Sequence, residues 1–142
     1  MLLRLSIIPF TIVALSGPAF SGEAPDMLGK WIGTVDSAIH AGTTPYRTAE
    51  PGKKITFAKE AMTFTLDIKE QQGARFGGEL SNTKRSETLI GHLYLDNKSG
   101  VMLDEDGRYS FTLSDAVTMQ VCYDHATPDS KVIACWTATK AP

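Results

Sequence analysis

The residues able to do chemistry in this 142-residue chain are few and scattered. Two cysteines, Cys122 and Cys135, lie in a late segment that turns at Pro128-Asp129. Proline presets the first central turn position and aspartate suits the second, so this turn sets Cys122 directly opposite Cys135. The register and the cysteine pairing agree independently, which reads as one disulfide clamping a hairpin. The pair lacks Cys-x-x-Cys spacing, so it is read as structural rather than redox-active. The three histidines, His40, His92 and His125, have no zinc-ligand spacing, and the cysteines are committed to each other, so no metal site is expected. Asp104-Glu105-Asp106 precedes a glycine but lacks the alternating donors and closing glutamate of a calcium loop, and reads as a solvated turn. Asn97-Lys98-Ser99 matches a glycosylation triplet in a surface turn. No nucleophile elbow, phosphate-binding glycine loop or local carboxylate pair is present, so neither an enzyme nor a cofactor is expected.

The elements that must position these residues are strands. Leu28 to Val35 alternates with Trp31 inward, and Met62, Phe64, Leu66 and Ile68 alternate against Thr63, Thr65, Asp67 and Lys69. Ile55 and Phe57 align with Phe64 and Met62 if the chain turns at Lys59-Glu60. Phe76, Gly78 and Leu80 follow, and then Leu89, Leu93 and Leu95 as an inward set that sends His92 and Tyr94 outward. Val101 and Leu103 mark another strand, and Asp106-Gly107 turns it into Tyr109, Phe111 and Leu113. In the last hairpin Met119, Val121 and Tyr123 share the inward face with Val132, Ala134 and Trp136. Nine candidate strands without a helical segment predict an all-β fold, an antiparallel up-and-down meander closing into a roughly eight-stranded barrel. Antiparallel closure needs an even number, so one candidate lies outside the ring: Ile55–Phe57 first, Val101–Glu105 second. Residues 36–52 carry no period and read as a long irregular loop, in which His40, Tyr46 and Arg47 could gate a barrel mouth.

The N-terminus sets the compartment. An apolar run of about 11 residues behind Arg4, followed by small residues at Ala19 and Ser21, reads as a secretory signal peptide over 1–21. It is too short to span a bilayer, which takes about 20 residues. Residues 22–27 then form a flexible segment and 28–142 a single domain. Removing Arg4 takes the net charge from −2 to −3, with no basic stripe for nucleic acid. An exported protein, periplasmic or extracellular, suits the disulfide.

Gly29-Lys30-Trp31 at the start of such a meander resembles the Gly-x-Trp opening of the calycin superfamily, which includes lipocalins, fatty-acid-binding proteins and avidins. The spacing Gly29-x-Trp31-x-Gly33 also resembles the first strand of bacterial metalloprotease inhibitors, exported eight-stranded barrels with one disulfide. About nine residues carry the motif. The resemblance implies a small closed barrel. Lipocalins place an arginine across the motif tryptophan; here the nearest cation is Lys140, which approaches Trp31 if the last strand runs that far. The polar set with which avidins grip biotin is missing, so biotin binding is not implied.

Two functions follow as expectations. The first is a binding barrel that holds a small apolar or amphiphilic ligand between Trp31, Phe64, Leu66, Phe111, Tyr123 and Trp136, under a lid at Tyr46. The second is an interaction barrel, such as an inhibitor of a secreted hydrolase, acting on a protein partner through residues 22–26 or the long loop. An open cavity favours the first, a solid interior the second.

Overall fold

The computed structural model describes residues 22–42, 54–58 and 60–142. Alternation at period two dominates them. In the final strand every second residue from Ser130 to Ala138 is buried, as a strand with one face on a core requires. Ten strands form: β1 Gly29–Val35, β2 Ile39–Gly42, β3 Ile55–Phe57, β4 Met62–Gln72, β5 Arg75–Ser81, β6 Ser86–Leu93, β7 Ser99–Leu103, β8 Arg108–Leu113, β9 Thr118–Ala126 and β10 Ser130–Lys140. From β4 to β10 each strand pairs antiparallel with the next, and β1 sits between β4 and β10. The result is a closed eight-stranded antiparallel barrel with two extra strands.

The closing hairpin has the expected register. Thr127 N–H donates to Ser130 O at 2.7 Å around Pro128-Asp129, and Cys135 lies opposite Cys122. The two are bonded, with Cα atoms 4.1 Å apart. Trp136 faces inward and is 8% exposed. β10 also runs far enough for Lys140 to pair with Trp31, which places its ammonium 5.5 Å from the indole centroid.

The extra strands correct the reading of the loop. Residues 36–52 are not irregular throughout, because β2 forms at Ile39–Gly42 and pairs with β10 from Ile133 to Ser130. β1 and β2 thus follow one another along the same edge of β10, with one extra residue on their side between Gly33↔Ala138 and Ile39↔Ile133. That irregularity is a bulge, and Ser37 Oγ anchors it by donating to Cys135 O at 3.1 Å. β3 lies outside the ring, as expected, but its partner is β2 rather than β4. Its facing is also reversed, since Thr56 is buried while Ile55 and Phe57 point outward. Tyr46 and Arg47 lie outside the described residues, as does the proposed signal segment.

Two further facings differ from the alternation read in the sequence. In β7 Gly100 and Met102 turn inward and Leu103 outward. In β6 Leu89 and Leu93 are buried as expected, but Leu95 lies beyond the strand and is 96% exposed. Both cases are apolar on both parities, so the partner strand decides the facing.

One end of the barrel is closed by residues ahead of β1. Met27 is fully buried. Its N–H donates to Gln71 Oε1 at 2.8 Å, and Gln71 Nε2 donates back to Pro25 O at 2.8 Å. Trp31 Nε1 donates to Met27 O at 2.9 Å, and Asn97 Nδ2 to Gly22 O at 2.9 Å. Lys140 Nζ reaches both the carbonyl (3.0 Å) and the carboxylate (3.2 Å) of Asp26. Residues 22–27, expected as a flexible segment, thus make hydrogen bonds to Gln71, Asn97 and Lys140 across the barrel end.

Candidate functional site at the open end of the barrel

In a meander, alternate turns come to the same end. The turns after β5, β7 and β9 meet at the end opposite Met27, joined there by the start of β4 and by β2. Between them opens a cavity of about 330 Å³.

Its walls are apolar side chains: Val35 and Ala38 near the β1–β2 bulge, Met62 on β4, Leu80 on β5, and Val132 and Ala134 on β10. Four aromatic residues, Phe64, Tyr109, Tyr123 and Trp136, complete them. Trp136 stacks with Phe64 at 5.8 Å between centroids and meets Tyr109 edge-on at 6.1 Å. Tyr109 and Tyr123 are 4.9 Å apart. Two glycines make this possible. A Cβ on Gly33 would stand 2.4 Å from Trp136 Cδ1, and one on Gly107 would stand 2.0 Å from Tyr123 Cε2. Each ring lies where any larger residue would have put its own side chain.

One corner is polar. Tyr109 Oη donates to Asp104 Oδ2 at 2.5 Å, and Tyr123 Oη to Asp106 Oδ1 at 3.0 Å. Burial above all, and then the Asp104 carboxylate beside it, push the Tyr109 phenol far up, so it serves as a neutral donor. Asp104 Oδ1 also accepts the Gly107 and Asp106 N–H groups, at 2.7 and 3.2 Å. Arg85 is paired with the buried carboxylate of Glu87 and lies 3.7 Å from Asp106 Oδ2. His125 Nδ1 lies 2.6 Å from Asp106 O; facing a carbonyl, it must be the protonated nitrogen. Glu60, ahead of β4, and His40, inward on β2, also line the cavity, and burial lowers the His40 pKa, which keeps it neutral near pH 7.

Glu87, Asp104 and Asp106 each bring an oxygen to within 4.8 Å of the others, the one grouping among the described residues that could hold a metal ion. Arg85 already supplies positive charge there. The sequence reading of Asp104–Asp106 as a plain solvated turn missed this gathering.

The expected ligand-binding set divides. Phe64, Tyr123 and Trp136 line the cavity. Trp31, Leu66 and Phe111 belong to the packed core beneath and do not reach its wall. Tyr46 lies outside the described residues. Tyr109, Arg85, Glu87, Asp104 and Asp106 are additions. The signal that locates them is topological: in an up-and-down meander 82–85 and 104–107 are alternate turns and must share an end.

Comparison of the chain with protein-family models, with curated proteins and with solved structures found no match.

Proposed function

We propose that this chain is an exported binding barrel that holds a small amphiphilic molecule in the cavity at its open end. The observation that carries the reading is the composition of that cavity: four aromatic rings and a belt of aliphatic side chains on the walls, with hydrogen-bonding and charged groups gathered in one corner. Ligand sites are commonly concave, mostly apolar, and fitted with a few placed polar groups that fix orientation. The disulfide supports an oxidising compartment. The barrel and the Lys140–Trp31 contact suit a calycin-like relationship, with lysine standing where lipocalins use arginine.

The alternative is an interaction barrel acting through residues 22–26 or the long loop, of which 43–52 lie outside the described residues; its arm version gains nothing comparable. The arm is tied to Gln71, Asn97 and Lys140 at the closed end.

The two tryptophans make the reading testable by fluorescence. Trp136 is in the cavity wall and Trp31 under the plug. A panel of alkyl amphiphiles titrated into the folded protein should change the emission, and Trp136→Phe should abolish most of the change while Trp31→Phe keeps it. A flat response across the panel, confirmed by calorimetry, would rule the binding barrel out.

A further inference from the structure

We infer that the ligand's polar group is an organic cation: the cavity takes a small ammonium compound with an apolar body, in preference to a neutral or anionic one of the same size. The inference rests on the binding-barrel reading and adds the chemical class of the ligand.

Charge makes the first part of the case. Among the described residues, the lining holds four carboxylates, Glu60, Glu87, Asp104 and Asp106, against the one guanidinium of Arg85. Arg85 is already engaged by Glu87 and Asp106, and His40 is neutral at ordinary pH. An excess of negative charge therefore remains in a site with low-dielectric walls, where fields are less screened than on an open surface.

The aromatic walls make the second part independently. Trp136, Phe64, Tyr109 and Tyr123 present ring faces and edges at several inclinations, stacked for Trp136 and Phe64 but nearly perpendicular (87°) for Trp136 and Tyr109. The four rings line one space, and aromatic surface is where an alkylammonium group gains an attraction that a neutral or anionic group of the same size does not.

Desolvation decides between ligand classes. Any molecule that fills the cavity strips water from the carboxylates in the corner. A neutral occupant leaves their charge uncompensated, and an anion adds to it. A cation offsets the loss, and an ammonium is weakly enough hydrated, when alkylated, to leave water for the rings. A small hydrated metal ion would be served by Glu87, Asp104 and Asp106 alone and would gain nothing from the four aromatic residues.

The test is a matched series titrated into the intact mature protein by calorimetry and tryptophan fluorescence: hexyltrimethylammonium, hexanol and hexanoate, each at constant ionic strength. The ammonium should bind at least tenfold more tightly than the alcohol, and hexanoate more weakly than both. Asp106→Asn, which keeps an acceptor for Tyr123, should narrow the ammonium-to-alcohol ratio several-fold. The wild-type series is decisive even if that variant folds poorly. Equal affinity for the ammonium and the alcohol, or a preference for hexanoate, overturns the cation inference while leaving the binding barrel standing. Binding of none of the three overturns both. Displacement of the ammonium by calcium chloride at matched ionic strength would reassign the corner to a metal ion and likewise overturn the inference.

Discussion

Gly33→Ala is the sharpest probe of the cavity wall. The new methyl carbon would stand 2.4 Å from Trp136 Cδ1, 2.9 Å from Trp136 Nε1 and 2.5 Å from the carbonyl oxygen of Thr137. Carbon atoms in contact sit at about 3.5–4.0 Å, so roughly an ångström of overlap must be relieved twice over. One obstacle is a side chain that can swing toward the cavity. The other is backbone in the strand that Gly33 pairs with, through Ala138, and it can move only by disturbing the β1–β10 seam. Overpacking of this kind costs about 1–3 kcal/mol, and two simultaneous overlaps place the variant at the upper end, about 3 kcal/mol. Replacing glycine inside a strand should return about 0.5–1 kcal/mol of chain entropy, for a net loss of about 2 kcal/mol. A domain of about 120 residues has an unfolding entropy near 0.25 kcal/mol/K, so Tm should fall by about 8 °C. Thermal unfolding followed by circular dichroism reads this directly. In a double-mutant cycle with Trp136→Leu, the combined loss should be smaller than the sum by about 1 kcal/mol, because removing the ring removes one of the overlaps. A Tm within a degree of the parent, or strictly additive losses, would mean that Trp136 does not lie on Gly33, and the wall built on it would have to be redrawn.

Other consequences can be checked separately. Replacing both cysteines, Cys122→Ala with Cys135→Ala, releases a link spanning a sequence separation of 13 and should cost about 3 kcal/mol on a loop-entropy estimate; ligand affinity below the new Tm should not change, because the bond lies on the outer face. His40, whose pKa is lowered by burial from 6.5, is neutral in the fold while the unfolded chain takes up a proton below that value. Stability should therefore be level above about pH 6.5 and decline as the pH falls below it, and His40→Gln should flatten that slope in urea midpoints measured from pH 8 to 5. Tyr109→Phe deletes a donor to the Asp104 carboxylate and should cost about 1.5–3 kcal/mol by denaturant unfolding, with the barrel still formed.

What could be read from the sequence was the part governed by local rules. A two-residue turn and period-two alternation fix the hairpin from Thr118 to Lys140, hence the cysteine pair, the inward facing of Trp136 and the approach of Lys140 to Trp31. The even strand number of a closed antiparallel ring also singled out Ile55–Phe57 as an outsider. What stayed hidden depends on partners. β2 is only Ile39-His40-Ala41-Gly42, too short to show a period, and it is a strand because β10 offers it an edge. Ile55 and Phe57 look like core residues by type, yet face outward because Thr56 and His40 are turned in on the same paired strands. Met27 has no periodic neighbour to mark it, and is buried by the chain folding over the barrel end. The polar corner joins Arg85 and Glu87 to Asp104 and Asp106, which are distant in sequence; Asp104–Asp106 reads as a solvated turn, and nothing local marks Glu87 on β6.

β10 lends a single edge to two neighbours, Ala138–Lys140 to β1 and Ser130–Ile133 to β2, and Cys135, cross-linked to β9, sits between the two stretches. β1 is held on its other side by β4 along its whole length, whereas among the described residues β2 has only the short β3 beyond it. A fluctuation that peels β2 and β3 from β10 therefore needs to break little pairing, while β10 itself stays cross-linked to β9. Amide exchange should follow this division, with β2 and β3 losing protection well ahead of β1 and β4. The mouth of the barrel can breathe at a rate of its own, while the ring that shapes the cavity stays shut.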